Sequence, residues 1–390
     1  MANTAATAPR TQPPAPAAAI RRHFRLLRDP RRAHRRRHPL LDVVVMAICA
    51  VLCGANTWPE VVTWAQRRQG WLRRFLALPS GIPSHDTFER VFDRLDPQAF
   101  QACFRSWVAA ACEALHLTHV AIDGKTLRRS GSARLGPLHV VSAWATANRL
   151  ALGEVAVAEK SNEITAIPRL LDLLDVCGAL VTIDALGCQK DIARKVRERG
   201  ADYVLTVKDN QPHLREDIEA CFHRAFAKAH GDERLSEWRS LERGHGRTEL
   251  RSYAVLHDPT GLRGREGWQD LCVVGRCTSL RTAGGKTGVE VRYFIGSRRA
   301  DAAAYGRALR GHWGIENGLH WHMDIDFGED ASRVRRRREA ENFAVLRRIA
   351  LSLLKRHPAK MSIACKRLAA AADTDFLEEI LQLGGNSEKP

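Results

Sequence analysis

The amino-acid sequence predicts an α/β protein whose mixed sheet is flanked by helices and preceded by a small helical module. Up to about residue 117, bulky apolar residues recur near helical spacing. From His119 the period changes to that of strands, and three strands follow one another before helices and strands begin to alternate. Three successive strands followed by such alternation indicate an α/β domain with a mixed sheet.

Residues 1–38 are predicted to be a disordered tail and an arginine-rich arm. Residues 1 to about 20 are rich in Pro and Ala, and they cannot bury enough apolar surface to offset the entropy of ordering. The run from Arg21 to His38 carries dense arginines that suit a phosphate backbone. From this run alone, a DNA-binding arm and a solvated linker are both open.

The helical module is predicted over residues 39–117, where it would serve as a DNA-binding or accessory domain. Its apolar run from Leu40 to Ala55 contains Asp42 and is shorter than the roughly 18 uncharged residues of a membrane span, so we expect a buried helix and no membrane partner. The other helical patterns cover Trp58 to Leu78, about Thr87 to Leu95, and Pro97 to Leu117.

The α/β domain is predicted over residues 118–358, and residues 359–390 would form a C-terminal tail. Its strands are predicted at His119–Asp123, Leu138–Thr146, Leu150–Ala158, Ala179–Asp184 and Tyr203–Val207. Its helices are predicted at Asn162–Val176, Cys188–Arg199, Pro212–His230, Ala302–His322 and Glu339–Arg356. A strand-rich segment over about 235–298 has strands at Thr248–Leu256, Leu271–Thr278 and Val289–Ile295.

The charge of the chain predicts a polyanionic partner. The formal net charge is +17 over 390 residues, and a surface of this sign accumulates nucleic acid without specific contacts. A basic protein with no basic function is the alternative. The ten cysteines include no CxxC pair, and no signal peptide precedes the helical module, so we expect reduced thiols in a cytoplasmic protein and no zinc site.

Two aspartates end apolar runs in the α/β domain. Asp123 ends the run HVAID and precedes Gly124, whereas Asp184 ends the run ALVTID. In an open α/β sheet ligands bind at the carboxyl ends of strands, so two such carboxylates on neighbouring strands can converge. For either aspartate alone, a side chain that merely caps a turn is the alternative.

The third candidate carboxylate is Glu316, in the run GHWGIENGLHWHMDIDFGED. At α-helical spacing it shares a face with His312 and Met323, so we expect it to project toward the strand ends. Asp326 is the reserve candidate, because further acids follow Glu316. Three carboxylates of this kind fit two divalent metal ions that act on a phosphodiester, and magnesium favours carboxylates together with substrate phosphates.

Several runs resemble, in the right order, the signatures of insertion-sequence DDE transposases of the ISAs branch, which includes H-repeat-associated proteins. They are AIDGKTLRRS, VTIDALGCQ, GADYVLTVKDNQPHL, ERGHGRTELR and HWGIENGLHWHMDIDFGEDASR. The helical module, with LPSGIPSHDTFERVF, is similar to the N-terminal domain that accompanies them. The resemblance spans roughly residues 38–356.

The resemblance implies a ribonuclease H-like catalytic fold with the strand-rich segment as an insertion. It also implies that Asp123, Asp184 and Glu316 hold two magnesium or manganese ions. The implied activity is cleavage at transposon ends and joining of the 3′ ends to target DNA, with double-stranded DNA as partner and a homodimer in the synaptic complex. A nuclease of the same fold that does not join strands, and a DNA-binding protein with a defunct catalytic domain, are the alternatives.

One departure from the wider group concerns its tyrosine, arginine, glutamate, lysine pattern around the last acid. In this chain His312 stands in place of the arginine and Met323 in place of the lysine, so His312 and His320 become candidates for contacts with DNA phosphate. The remaining candidates for DNA contacts are Lys125, Arg128, Arg129, Lys208, His245 and Arg247.

Overall fold

The structure is a computed structural model that describes residues 18–112, 117–131, 136–157, 163–228, 232–244 and 246–382. These ranges contain helices α1 to α14 and strands β1 to β9. The predicted tail over residues 1–17 and the candidate residue His245 lie outside them. No helix in these ranges is long and apolar enough to cross a bilayer, and the cysteines that they include are free thiols.

The helical module forms, but with more helices than the sequence predicts. The pattern predicted from Trp58 to Leu78 divides into two helices, Trp58–Arg67 and Gln69–Leu72, and a further helix precedes the module. Thr57 accepts a hydrogen bond from the backbone N–H of Glu60 and so caps α3. Helix α1 lies within the segment predicted as a tail and arm. It packs onto the module, because Ile20 and Phe24 bury their apolar side chains and Phe24 packs edge-on against Phe100. The helices are α1 (Ala18–Phe24), α2 (Leu40–Leu52), α3 (Trp58–Arg67), α4 (Gln69–Leu72), α5 (His85–Arg94) and α6 (Pro97–Cys112).

The α/β domain is built on one mixed sheet, which confirms the predicted fold class. The sheet has the order β3-β2-β1-β4-β5-β9-β8-β7-β6. Strands β1, β4 and β5 run parallel, and all the other neighbours run antiparallel. The strands are β1 (His119–Leu127), β2 (Leu138–Ala145), β3 (Leu150–Val157), β4 (Leu180–Ile183), β5 (Asp202–Val207), β6 (Leu235–Gly244), β7 (Arg247–His257), β8 (Val273–Ala283) and β9 (Lys286–Gly296).

The strand-rich insertion continues the central sheet instead of forming a separate one. Strand β9 pairs with β5 from Val204↔Gly296 to Val207↔Tyr293, and β8, β7 and β6 follow outward. Strand β6 is not among the sequence predictions. It is the edge strand, and its many charged residues are typical of exposed sheet edges but depart from the apolar pattern that marks a buried strand.

Helices cover the sheet, and the chain after β9 is helical almost to its end. The segment predicted as a C-terminal tail contains two helices, because Leu377, Ile380 and Leu381 recur at helical spacing and are buried. The helices are α7 (Glu163–Asp172), α8 (Lys190–Glu198), α9 (Pro212–Phe226), α10 (Ala302–His312), α11 (Trp321–Ile325), α12 (Arg337–Arg356), α13 (Ile363–Ala372) and α14 (Thr374–Gln382).

Helix α12 packs against both the helical module and the sheet. On the module side, Phe343 contacts Trp58 with ring centroids 4.8 Å apart, and Trp58 stacks on Phe92 at 4.7 Å. Nε1 of Trp58 donates a hydrogen bond of 2.5 Å to Glu339. The helical module and the end of the α/β domain therefore share one hydrophobic core, and their division into two domains stays a prediction.

On its sheet side, α12 contributes to a buried network of charges. Arg348 is paired with Glu154 of β3 and donates a 2.8 Å bond to Glu329. Lys125 of β1 is paired with Asp324 and lies 3.3 Å from Glu329. Burial opposes ionisation of Glu329, but Arg348 and then Lys125 outweigh it and lower the pKa of this carboxyl to about 2. The network joins β1, β3, α12 and the segment after α11.

Substitution of Glu329 should destabilise the whole chain. Glu329→Gln leaves the cations of Arg348 and Lys125 with less negative charge in a dry environment, so we expect the free energy of unfolding to fall by about 3–5 kcal/mol in urea titrations. Glu198→Gln, which removes an exposed acid on α8, is the matched control and should change it by less than about 0.5 kcal/mol. Equal effects of the two variants would contradict a stabilising role for the network.

Candidate active site

Asp123 and Asp184 lie where two parallel strands separate. The ladder between β1 and β4 ends at the pair Ile122↔Ile183, so the two aspartates are the next residues on adjacent strands. The prediction that β1 ends at Asp123 is wrong, because β1 continues to Leu127 as a hairpin partner of β2. The expected convergence at the strand edge nevertheless occurs, because β1 leaves β4 at this point.

Backbone N–H groups orient both carboxylates. Oδ1 of Asp123 accepts a hydrogen bond of 2.9 Å from the N–H of Gly124. Oδ1 of Asp184 accepts bonds from the N–H groups of Leu186, at 3.1 Å, and Gly187, at 3.4 Å. Asp184 thus caps the turn after β4, as aspartates do in many turns. Its carboxylate nevertheless stays at the edge where β1 and β4 separate.

Glu316 begins a π-helical turn, Glu316–His320, between α10 and α11. The sequence prediction assumed continuous α-helical spacing, and the π turn changes which residues share a face; such turns are frequent at functional sites. Residues Gly311 and Gly318 face the sheet, where a Cβ atom would lie 2.8 Å from His119 and 2.8 Å from Trp144, respectively. Glycines therefore allow this segment to approach β1 and β2 closely, which brings Glu316 to the strand edge.

Asp123, Asp184 and Glu316 line one cleft, which we call the carboxylate cleft. Its opposite wall is the face of β7, β8 and β9 that carries alternate residues such as Arg247, Glu249 and Arg251. The side chains that line it thus combine three catalytic-type carboxylates with a basic wall. The cations of the lining are Lys208, Arg247, Arg251, Arg281, Arg292 and Arg310.

The acids of the cleft repel one another. Burial, and next to it the negative charge of Asp184, raises the pKa of Asp123 to about 7; Glu316 and Glu163 contribute in the same direction. Burial also raises the pKa of Asp184, and the charge of Glu163 adds to this, while the N–H of Gly187 opposes it. Groups that destabilise one another's charge in this way are typical of sites that bind a cation.

The donor set of the cleft fits a hard divalent ion. The three candidate ligands are all carboxylates, and oxygen donors are the ones that magnesium and manganese prefer. A cation would also relieve the repulsion that raises the pKa of Asp123. As placed, no three His, Cys, Asp or Glu side chains in the described ranges are close enough together to form a metal-binding group.

The two histidines of this segment contact protein groups, and their contacts with DNA phosphate stay a prediction. His312 lines the cleft, but its Nδ1 lies 3.0 Å from Oγ1 of Thr182, and burial lowers its pKa to about 4. Nδ1 of His320 lies 3.4 Å from Oδ2 of Asp123, and burial lowers the pKa of His320 to about 3. Both imidazoles are therefore neutral at pH 7, so neither supplies a positive charge for a phosphate.

The predicted basic residues divide into two groups. Lys208 and Arg247 line the cleft, are exposed, and form no ion pair within the described ranges. Lys125 belongs to the buried charge network and its side chain is only 9% exposed, which corrects the prediction that it grips a phosphate. Arg128 and Arg129 lie beyond the end of β1 and are exposed, but they do not line the cleft.

The reserve acid, Asp326, lies outside the lining of the cleft. Its Oδ2 is 2.5 Å from Nδ1 of His322, and its side chain is largely buried. Sequence reasoning missed the basic residues on β8, β9 and α10. It also missed the cation–π contacts of Arg292 and Arg310 with the ring of Trp313, at 5.1 and 5.8 Å. A signal was present on the neighbouring strand β7, where the period-two alternation from Arg247 to Arg251 indicates a single face of a sheet.

Known protein families and relatives match almost the whole chain. Residues 115–353 match the protein family described as "Transposase DDE domain", and residues 21–108 match the family described as "DDE_Tnp_1-associated". The chain is 37% identical over 379 residues to "Putative transposase YncI" of Escherichia coli O157:H7, a match that covers 94% of this chain and 96% of that one. It is 36% identical over 373 residues to "H repeat-associated putative transposase YhhI" of Escherichia coli (strain K12), covering 94% and 98% respectively.

Among solved structures, the chain is similar to a piggyBac transposase synaptic complex with hairpin DNA. The identity is 10%, the TM-score is 0.39, and the match covers 95% of this chain and 78% of that one. A likeness this distant supports no statement about the function of the chain.

Removal of one acid should change the titration of its neighbour. Asp184→Asn removes a negative charge beside Asp123, so we expect the pKa of Asp123 to fall from about 7 toward its ordinary value but to stay raised, since burial is the larger cause. Carbon-13 NMR titration of the carboxyl groups in metal-free buffer measures this. Asp209→Asn, at an exposed loop position, is the control; an unchanged pKa of Asp123 in Asp184→Asn would mean that the charge of Asp184 does not act on Asp123.

Proposed function

The chain belongs to the family of transposases with a DDE domain, and on this premise we propose that it cuts DNA at the ends of an insertion sequence and joins the 3′ ends to target DNA. The observation that carries the proposal is the position of Asp123, Asp184 and Glu316 on one cleft, at the edge where β1 and β4 separate. In this proposal the cleft holds the scissile phosphodiester.

We assign the three carboxylates to two magnesium or manganese ions. When bound, such ions activate a water or a 3′-hydroxyl and stabilise the oxygen that leaves in an in-line displacement. Asp123 and Asp184 hold them from the strand edge, and Glu316 from the π-helical turn. Because Asp123 must be ionised to bind a cation and its pKa is raised to about 7, metal binding strengthens as the pH rises through this value.

The basic wall of the cleft positions the DNA backbone. Lys208 and Arg247 are exposed and free of ion pairs in the described ranges, so they lose no protein contact when they bind a phosphate. Arg292 is instead held by Glu290 at 2.8 Å, and Arg310 by Glu242 at 2.9 Å. These pairs fix the two guanidinium groups beside Trp313. We infer that they shape the wall, while the unpaired cations grip the strand.

Two copies of the chain would hold the two ends in a synaptic complex, and the DNA-bound protein would associate with the nucleoid.

The two alternative functions, a defunct catalytic domain and a nuclease without strand transfer, are not favoured. A defunct catalytic domain is expected to lack an acid, whereas all three carboxylates line the cleft. A nuclease without strand transfer would use the same residues, and an assay with labelled transposon ends separates the two, since cut ends without joined product would indicate the nuclease.

Removal of any of the three carboxylates should abolish cleavage. We expect Asp123→Ala, Asp184→Ala and Glu316→Ala each to lose magnesium-dependent cleavage of an end-bearing duplex, with DNA binding nearly unchanged, because the acids hold ions and not DNA. Cleavage is measured on denaturing gels and binding by fluorescence anisotropy.

The matched control is Asp326→Asn, in the same helical segment but outside the cleft. It should retain cleavage. Normal cleavage by Glu316→Ala together with loss in Asp326→Asn would show that the last ligand is wrongly assigned.

DNA binding should depend on one face of the inserted strands. Arg247→Gln removes an unpaired cation from the cleft wall, so we expect weaker binding to every duplex and a reduction of about 1 in the slope of log affinity against log salt. Arg243→Gln is the matched control, because Arg243 pairs in register with Thr248 and therefore lies on the opposite face. A larger effect of Arg243→Gln would place the DNA on that face.

A further inference from the structure

A further carboxylate, which is buried, lies against the strand that carries Asp123. Glu163 is the first residue of α7 and is 4% exposed. Its Oε1 is 2.5 Å from Nε2 of His139, whose side chain is also almost fully buried. Within the described ranges, neither of these two atoms has a hydrogen-bond partner, so the two groups are in close contact without the geometry of a hydrogen bond.

The pair of Glu163 and His139 encloses the backbone next to Asp123. Nδ1 of His139 lies 2.8 Å from Oγ1 of Thr126, which is its register partner on β1. A Cβ atom at Gly124 would lie 2.3 Å from Oε1 of Glu163 and 2.7 Å from Nε2 of His139. Only glycine fits there, and its N–H donates to Asp123. Glu163 and His139 thus hold the peptide that orients the first aspartate.

Glu163 adds a further negative charge behind the two aspartates. It lies against the position of Gly124, next to Asp123, at the strand edge that also carries Asp184. Its close partner is a histidine, and no lysine or arginine lies within ion-pair distance in the described ranges. A buried acid placed only for stability would avoid two other acids. The arrangement becomes favourable when a divalent ion supplies the missing positive charge.

We propose that Glu163 is a positioning carboxylate of the carboxylate cleft, held by His139, which fixes the Gly124 backbone behind Asp123 and strengthens the binding of divalent cations. This inference rests on the proposed function. Glu163 acts through Asp123 in the way that groups behind a metal ligand orient it and increase its negative field.

The test compares Glu163→Gln with the wild-type chain in manganese binding. Electron paramagnetic resonance of free Mn²⁺ measures binding without DNA and without activity. Glu163→Gln keeps the size of the side chain and removes its charge, so we expect manganese to bind about 10–100-fold more weakly. We expect cleavage to need correspondingly more metal and to recover at saturating Mn²⁺, which a misfolded variant would not do.

Two further variants separate charge, position and general stability. His139→Gln keeps the carboxylate but removes its partner, and we expect it also to weaken manganese binding. Glu339→Gln removes another carboxylate that is 4% exposed, on the far side of the shared core beside Trp58, and should leave manganese affinity unchanged.

The outcomes distinguish this inference from the proposed function. Wild-type manganese affinity in Glu163→Gln, or an equal loss in Glu339→Gln, overturns the role of Glu163 even if the wild-type chain cleaves DNA. A wild-type chain that binds manganese but cuts no transposon end overturns the proposed function, and a loss of binding in Glu163→Gln alone would still support the positioning role. A wild-type chain that binds no manganese overturns both.

Discussion

The relative positions of the elements that carry Asp123 and Glu316 depend on a few buried charges. Arg348 of α12 binds Glu154 on β3 and Glu329 after α11, while Lys125 on β1 binds Glu329 and Asp324. Lys125 lies two residues after Asp123, and Asp324 eight residues after Glu316. The network therefore ties the strand of the first aspartate to the segment of the glutamate. Because unpaired buried charges are expensive, the two can separate only at a large cost in free energy.

In front of this network, the cleft combines groups that disfavour one another. Glycines at 311 and 318 allow the Glu316 segment to lie close to the sheet, and the separation of β1 from β4 exposes the two aspartates. Burial, and next to it the resulting concentration of negative charge, raises the pKa of Asp123. Across the cleft, arginines on β7 to β9 supply charge of the opposite sign. The cleft thus combines a group of carboxylates with a set of cations.

Local patterns were sufficient for most of the architecture but not for the surroundings of the site. Apolar periodicity located the central strands and most helices but missed α1, α13 and α14, and the resemblance supplied the order of the three acids. The sequence could not show that Lys125 is buried and Arg247 exposed. Both are basic residues in strands, and only tertiary packing buries Lys125. The π turn at Glu316 depends on contacts with the sheet. Glu163 resembles an ordinary acid at a helix N-terminus until α7 is placed against β1.

The position of α12 has a consequence for the synthesis of the chain. The helical module needs Phe343 to enclose Trp58, yet these residues are separated by most of the sequence. A ribosome releases the N-terminal residues first, so the module remains without this wall until α12 has emerged. Its aromatic side chains are then accessible to chaperones and proteases for almost the whole of translation. A chain interrupted before α12 would therefore be degraded instead of persisting as a free N-terminal fragment.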